Sequence, residues 1–207
     1  MSITEFSQLN SDMALNGNLR KRKGNTDMIK IDAVEFFLTE PSEIYAEQIR
    51  EYRQEFFDEN YLTDDIGSLR ECEDPSAYIS ECEKNTSAET LPEGAVIANQ
   101  FLYVRKSDNR LVGMILVRHY FNDFLSRFGG HIGYSIRPSE RKKGYATSML
   151  NSVLPYCKEI GLDKVLITCV DGNTGSEKTI LNNSGVYEST VYYADADCRM
   201  KRFWITL

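Results

Sequence analysis

The stretch from His131 to Met149, reading HIGYSIRPSERKKGYATSM, constrains the fold of this chain more than any other, because it has to be a short strand, a break and a helix. Ile132, Tyr134 and Ile136 alternate with small residues, the pattern of a strand with at least one buried face. Arg137-Pro138-Ser139 ends it, since proline offers no N–H to a ladder and restricts the residue before it. From Tyr145 onward Ala146, Met149, Leu150 and Val153 recur at three- and four-residue spacing, which predicts a helix with one apolar stripe. Arg141-Lys142-Lys143-Gly144-Tyr145-Ala146 lies at the junction. Three cations, a glycine and a small residue at a helix N-terminus, where backbone N–H groups and the helix dipole point outward, form a cradle for a pyrophosphate. The bland alternative is a solvated basic cap.

At 207 residues the chain suits one domain with a full core. Met1 to Asp27 is polar and poorly periodic, so residues 1–27 are expected to be a flexible extension, with Met28 a candidate native start and 28–207 the domain. Its cluster Arg20-Lys21-Arg22-Lys23 has no interleaved aromatics and sits in an acidic chain of net charge −7, so nucleic acid is not an expected partner. No run of about eighteen apolar residues or signal-peptide core occurs, so a cytoplasmic protein without membrane contact is expected. The five cysteines are odd in number and lack metal-type pairing, which fits reduced thiols and no metal. Cys157 and Cys169 fall on apolar faces and read as core. Charge is uneven: Glu40 to Glu93 holds sixteen acids against four bases, and Gly94 to Leu207 ten acids against fifteen bases. Either the acidic half draws a cationic amine toward a basic half that holds an anion, or its acids are only solvated helix faces.

Along the chain, Ile31 to Leu38 reads as a strand. Glu40-Pro41-Ser42 starts a long amphipathic helix whose apolar stripe is Ile44, Tyr45, Ile49, Tyr52 and Phe56 and which ends near Phe57, and Asn60 to Glu71 reads as loop. Asp74-Pro75-Ser76 starts a second helix. Ala95 to Arg105 and Leu111 to Tyr120 form a hairpin, in which Gly113 marks a bulge or a close backbone approach. After the central strand and helix come a strand at Lys164 to Val170, a helix at Thr174 to Asn183, and a hairpin of Val186 to Tyr193 with Arg199 to Ile205. The order β-α-α-β-β-β-α-β-α-β-β predicts an α/β (α+β) domain, a sheet of six to seven strands with helices on both faces.

Arg141-x-x-Gly144-x-Ala146 after a strand resembles the Arg/Gln-x-x-Gly-x-Gly/Ala signature of the GNAT superfamily of N-acetyltransferases. The Gly129-Gly130-His131-Ile132-Gly133-Tyr134 segment is similar to a bacterial subgroup of predicted acetyltransferases, and the likeness spans roughly Ala33 to Leu207. It implies the GNAT fold, with a mixed, mostly antiparallel sheet flanked by about four helices, and acetyl-CoA as co-substrate without a metal. It implies that backbone groups of Ile136 and Arg137 pair with the pantetheine arm. Arg141, Lys142, Lys143, Gly144, Tyr145, Ala146 and Thr147 would hold the pyrophosphate, Asn173 would reach the pantetheine, and Ser176 or Lys178 would lie near the cofactor. Asn173 as a mere helix-entry residue is the competing reading. The acceptor is a small-molecule or peptide amine, attacking directly in a ternary complex, and a homodimer is compatible with the family.

An amine attacks a thioester as the free base, so a general base is useful. Many relatives place a glutamate where His131 stands here, and histidine titrates near pH 6.5, so His131 is the candidate base and a structural histidine the alternative. His119 and Tyr134 are candidate substrate-binding residues. One departure stands out. The tyrosine that relatives place seven residues after the asparagine is Ile180 here, so no general acid follows. Tyr187, Tyr192 or Tyr193 could replace it, or the thiolate leaves unassisted; a non-catalytic acyl-CoA-binding or sensing module is the alternative that this gap favours.

Overall fold

A computed structural model describes residues 35–58 and 63–207. The extension 1–27, its basic cluster and the first residues of the expected strand Ile31 to Leu38 lie outside the described residues. The elements are β1 (Phe36–Thr39), α1 (Ala46–Asp58), α2 (Pro75–Lys84), β2 (Ala98–Arg105), β3 (Arg110–Arg118), β4 (Ile132–Ile136), α3 (Tyr145–Glu159), β5 (Lys164–Val170), α4 (Thr174–Asn182), β6 (Val186–Tyr193) and β7 (Cys198–Thr206), in the order that the apolar periodicity predicts.

The strands form two antiparallel groups, β1-β2-β3-β4 and β5-β7-β6. Among the described residues they join at one bridge, between Gly130 and Ile167, beside which the His131 N–H donates to the Leu166 carbonyl at 2.8 Å. Past that bridge no ladder connects β4 to β5 among the described residues, and the sheet of seven strands stands open between them.

Each face of the sheet buries one helix pair. On one side Met149, Leu150 and Val153 of α3, with Ile180 of α4, pack on Ile115, Ile132, Val165 and Ile167. On the other, Ile49, Tyr52 and Phe56 of α1 and Tyr78 and Ile79 of α2 cover Leu102, Val104, Leu111 and Met114. Each such large apolar side chain contributes about 1.5–3 kcal/mol by leaving water. Cys157 belongs to the first core, and burial pushes its thiol up to about 12. No helix among the described residues is long and apolar enough to cross a membrane.

Gly113 meets both readings of it at once. The β2–β3 register shifts between Tyr103 and Val104, so that Val112 is the extra residue beside Gly113. A Cβ at Gly113 would stand 2.7 Å from Ile136 Cδ1 and 2.9 Å from Met149 Sδ, so the glycine also lets α3 and β4 close on β3. Two local expectations are corrected. Ser42 makes no side-chain cap; the chain passes through a 3-10 turn at Glu43–Tyr45 before α1. Thr63–Arg70, read as loop, is 3-10 helix kinked at Gly67, whose φ of 54° takes the left-handed region.

Candidate active site

The cradle after β4 is built by backbone. Gly144 has φ 83°, and a Cβ there would meet nothing within 4 Å, so conformation alone calls for glycine. Asp74 caps α2 and Asn173 caps α4, each accepting from a backbone N–H, but α3 starts at Tyr145 with no side-chain cap. The first N–H groups of α3, over Tyr145, Ala146 and Thr147, therefore meet no capping side chain, as an anion site needs. The three cations divide. Lys142 is exposed with φ 62°, Lys143 donates to Glu140 at 2.8 Å, and Arg141 donates Nε to the Ile136 carbonyl at 3.1 Å with its guanidinium 5.1 Å from the Phe56 ring centre. Glu140 is buried, yet the nearby Lys143 and Arg105 outweigh that desolvation and hold its carboxyl below the ordinary value.

The opening between β4 and β5 continues into a cleft of about 620 Å³ under α2. Tyr134, Asn173 and Ser176 line it, and Tyr134 Oη lies 2.8 Å from Ser176 Oγ. Burial pushes the Tyr134 hydroxyl up to about 12. Asn173 Oδ1 accepts the Ser176 N–H at 3.0 Å, so it caps α4 as well as facing the cleft.

Other candidates lie elsewhere. The Arg137 N–H donates to Val112, its carbonyl accepts from Glu140, and its buried guanidinium donates to the Leu111 and Gln48 carbonyls and to Glu55 at 2.8 Å. The polar groups of Arg137 are thus engaged in fixing β4 and α1. Ile136, one place earlier, keeps its N–H on the edge away from β3, because ladder bonds alternate.

His131 is 5% exposed and is not among the residues lining the cleft. Its Nδ1 accepts the Leu166 N–H at 2.9 Å, and its ring packs 4.0 Å from that of Phe121. Burial, then the charge of Arg118, lowers its pKa to about 4. In the neutral ring Nε2 carries the proton and Nδ1 is already occupied, so the geometry is that of a bracket between the two sheets and leaves no lone pair for a substrate proton. His119 also departs from expectation. Its Nε2 lies 2.8 Å from Asn99 Oδ1 and 3.4 Å from Tyr156 Oη, within the α3 layer and outside the cleft lining.

Ile180 is fully buried in the core. The proposed substitutes for a tyrosine there do not reach the cleft. Tyr187 Oη pairs with Thr190, Tyr192 Oη donates to Asp197, and the Tyr193 ring lies 4.6 Å from that of Phe128.

Two cleft residues escape a reading of motifs. Glu81, on α2, is the one carboxylate that lines the cleft among the described residues, and Arg118, ending β3, is the one guanidinium. Glu81 follows Tyr78 by one helical turn, a spacing that could have marked it as facing the same way. Arg118 closes an apolar run and carries no local signal. The other acids of the helical half include Glu47, paired with Arg50, and Glu55, paired with Arg137, neither of which lines the cleft.

Residues 46–184 match the family described as acetyltransferase (GNAT) domain. No curated protein matches the sequence. Among solved structures, the fold is similar to an acetyltransferase (GNAT family) from Bacillus anthracis, at 20% identity and TM-score 0.58, over 83% of this chain and 95% of that one. It is similar to MccE, a self immunity acetyltransferase in complex with acetyl-CoA and AMP, at 14% identity and TM-score 0.62, over 84% and 93%. It is also similar to RimL, a ribosomal alpha-N-protein acetyltransferase in complex with coenzyme A, at 12% identity and TM-score 0.62, over 84% and 95%. Identities this low establish the shared fold.

Proposed function

Because the chain belongs to the GNAT family of acetyltransferases, we propose that it transfers an acetyl group from acetyl-CoA to the primary amine of a small molecule or peptide, by direct attack in a ternary complex. The observation that carries this reading is the gap between β4 and β5, which ends against the uncapped N-terminus of α3. Solved relatives of this fold hold acetyl-CoA or coenzyme A.

The residues fit the co-substrate in kind. The first-turn N–H groups of α3, with Lys142 and Arg141, suit the pyrophosphate. The Arg118 N–H donates to His131 and the Arg137 N–H to Val112, so the main-chain groups of Ile132, Tyr134 and Ile136 turn to the open edge, where an extended arm adds like a strand. Bound acetyl-CoA supplies the activated acyl group. Ser176, held by Tyr134 at 2.8 Å, is the proton donor for the departing thiolate, in place of the tyrosine that Ile180 replaces. Glu81 takes the amine proton, through water.

The test is thiol release from acetyl-CoA against polyamines, amino acids, aminoglycosides and lysine peptides, with calorimetric acetyl-CoA binding alongside. Release with one class of amine is the expected result. Binding without release from any acceptor would move the protein to the non-catalytic acyl-CoA-binding reading, and absence of binding would overturn the cradle.

A further inference from the structure

Arg118 is a half-buried cation that lines the cleft. It ends β3 opposite Ala98, on the face that carries Met114 and Leu116 toward the cleft. Its guanidinium lies over Gly133: Nη1 and Nη2 stand 3.7 and 3.8 Å from where a Cβ of that residue would be. The guanidinium thus lies within van der Waals range of Gly133, beside the strand edge offered to the thioester arm. One hydrogen bond holds it, from Nη1 to the Gly130 carbonyl at 3.4 Å. Among the described residues no carboxylate pairs with it. Arg137 differs on both counts, since it is fully buried and its guanidinium has Glu55 at 2.8 Å. A guanidinium presents five donors in a fixed fork, and among the described residues four of these five have no protein acceptor, which leaves them to water or to a ligand in the cleft.

We propose that Arg118 receives a carboxylate of the acceptor, so that the substrate is an amine that carries a carboxylate close to its amino group. This deepens the N-acetyltransferase reading and rests on it. Glu81 from α2 and Arg118 from the sheet give the cleft one charge of each sign without pairing to each other, which complements a zwitterion and does not suit a polycation. Burial also lowers the pKa of the guanidinium, the sign of a charge that gains by acquiring a counter-ion. Two sources supply this chemistry: a free amino acid, or a peptide whose first residue is acidic.

The experiment compares isosteric pairs. Thiol release is measured with amino acids against their carboxamides, and with peptides beginning Asp against those beginning Asn. Equilibrium binding of the N-acetylated forms of each pair is measured by calorimetry with coenzyme A present, so that a readout exists without turnover. The wild-type protein is expected to favour one carboxylate over its amide by about tenfold or more, as a charge-assisted hydrogen bond gives. Arg118→Gln is expected to bring that ratio close to one, and Arg118→Lys to keep part of it, as a point charge without the fork would. The pair that shows the preference names the source. Equal binding of acid and amide by the wild type, an unchanged ratio in Arg118→Gln, or preference for a polyamine overturns the proposal. Carboxylate binding without thiol release leaves the carboxylate site standing and overturns the catalytic reading alone. Thermal melting of both variants confirms that the ratio is read on folded protein.

Discussion

His131 and Leu166 exchange two hydrogen bonds, backbone N–H to carbonyl at 2.8 Å and backbone N–H to ring Nδ1 at 2.9 Å, at the point where the two halves of the sheet meet. A protonated ring would turn that acceptor into a donor aimed at another donor. The unfolded chain takes its proton near the ordinary 6.5 and the folded chain only at about 4, so the folded state resists protonation. The His131 contribution to stability is thus fully present above pH 6.5, falls as the pH drops below it, and is gone once the pH has passed through about 4. His131→Asn, which keeps an acceptor without a titration, is expected to flatten the fall in melting temperature across that window. His131→Ala leaves the Leu166 N–H buried and unmet and should cost about 1–3 kcal/mol at neutral pH. Asparagine cannot act as a base, so a His131→Asn variant that lost turnover by orders of magnitude while staying folded would restore the catalytic assignment.

Gly144 tests the cradle. Its φ of 83° is costly for any residue with a Cβ, but nothing within 4 Å would obstruct the methyl group itself. Gly144→Ala is therefore expected to fold and to pull the loop toward another conformation at about 1–2 kcal/mol. Acetyl-CoA affinity, measured by calorimetry, should weaken about five- to thirtyfold. Unaltered affinity would mean that the left-handed turn is not part of the cofactor site.

The hydroxyls of Tyr134 and Ser176 make a pair whose members can be separated. Ser176→Ala removes the proposed proton donor and keeps the Tyr134 ring, so turnover should fall by about a hundredfold with acetyl-CoA binding little changed. Tyr134→Phe leaves Ser176 in place and should fall less. A larger loss in Tyr134→Phe than in Ser176→Ala would transfer the donor role to the tyrosine.

The strand-break-helix at 131–149 was legible because period two gives way to period 3.6 across a proline, and the order of elements followed from the same patterns. Individual roles depended on facts that only three dimensions supply. Arg137 adjoins the cradle in sequence, but the ladder turns its N–H to Val112 and its side chain into α1. His131 stands where relatives have a base, and which ring nitrogen is occupied depends on Leu166, far along the chain. Arg118 and Gly133 lie on different strands, and their contact requires the β3–β4 register, in which Leu116 faces Gly133. The gap at Ile180 could be seen in the motif, whereas the pairing of Ser176 with Tyr134, on which the proposed replacement rests, needed their approach across the cleft.

Arg137 and Glu55 tie β4 to α1. The guanidinium side chain is 2% exposed and the carboxylate 26%, at 2.8 Å. Burial raises the Glu55 pKa, but hydrogen bonds from Ser139 and Arg137 outweigh it, and the net shift is downward. A carboxyl held low adds stability above its unfolded pKa and loses it as the pH falls through the folded value, so the pair stabilises the fold at neutral pH and weakens in acid. Removing the cation should be worse than removing the anion. Arg137→Ala leaves Glu55 without its partner and the Leu111 and Gln48 carbonyls without a donor, for a loss of about 3–5 kcal/mol. Glu55→Gln keeps a polar group beside the guanidinium and should cost less. Urea midpoints at pH 7 measure both. If Arg137→Ala were as stable as the parent and instead lost acetyl-CoA affinity, Arg137 would belong to the cofactor site, and the ladder through Val112 would not be what fixes its role.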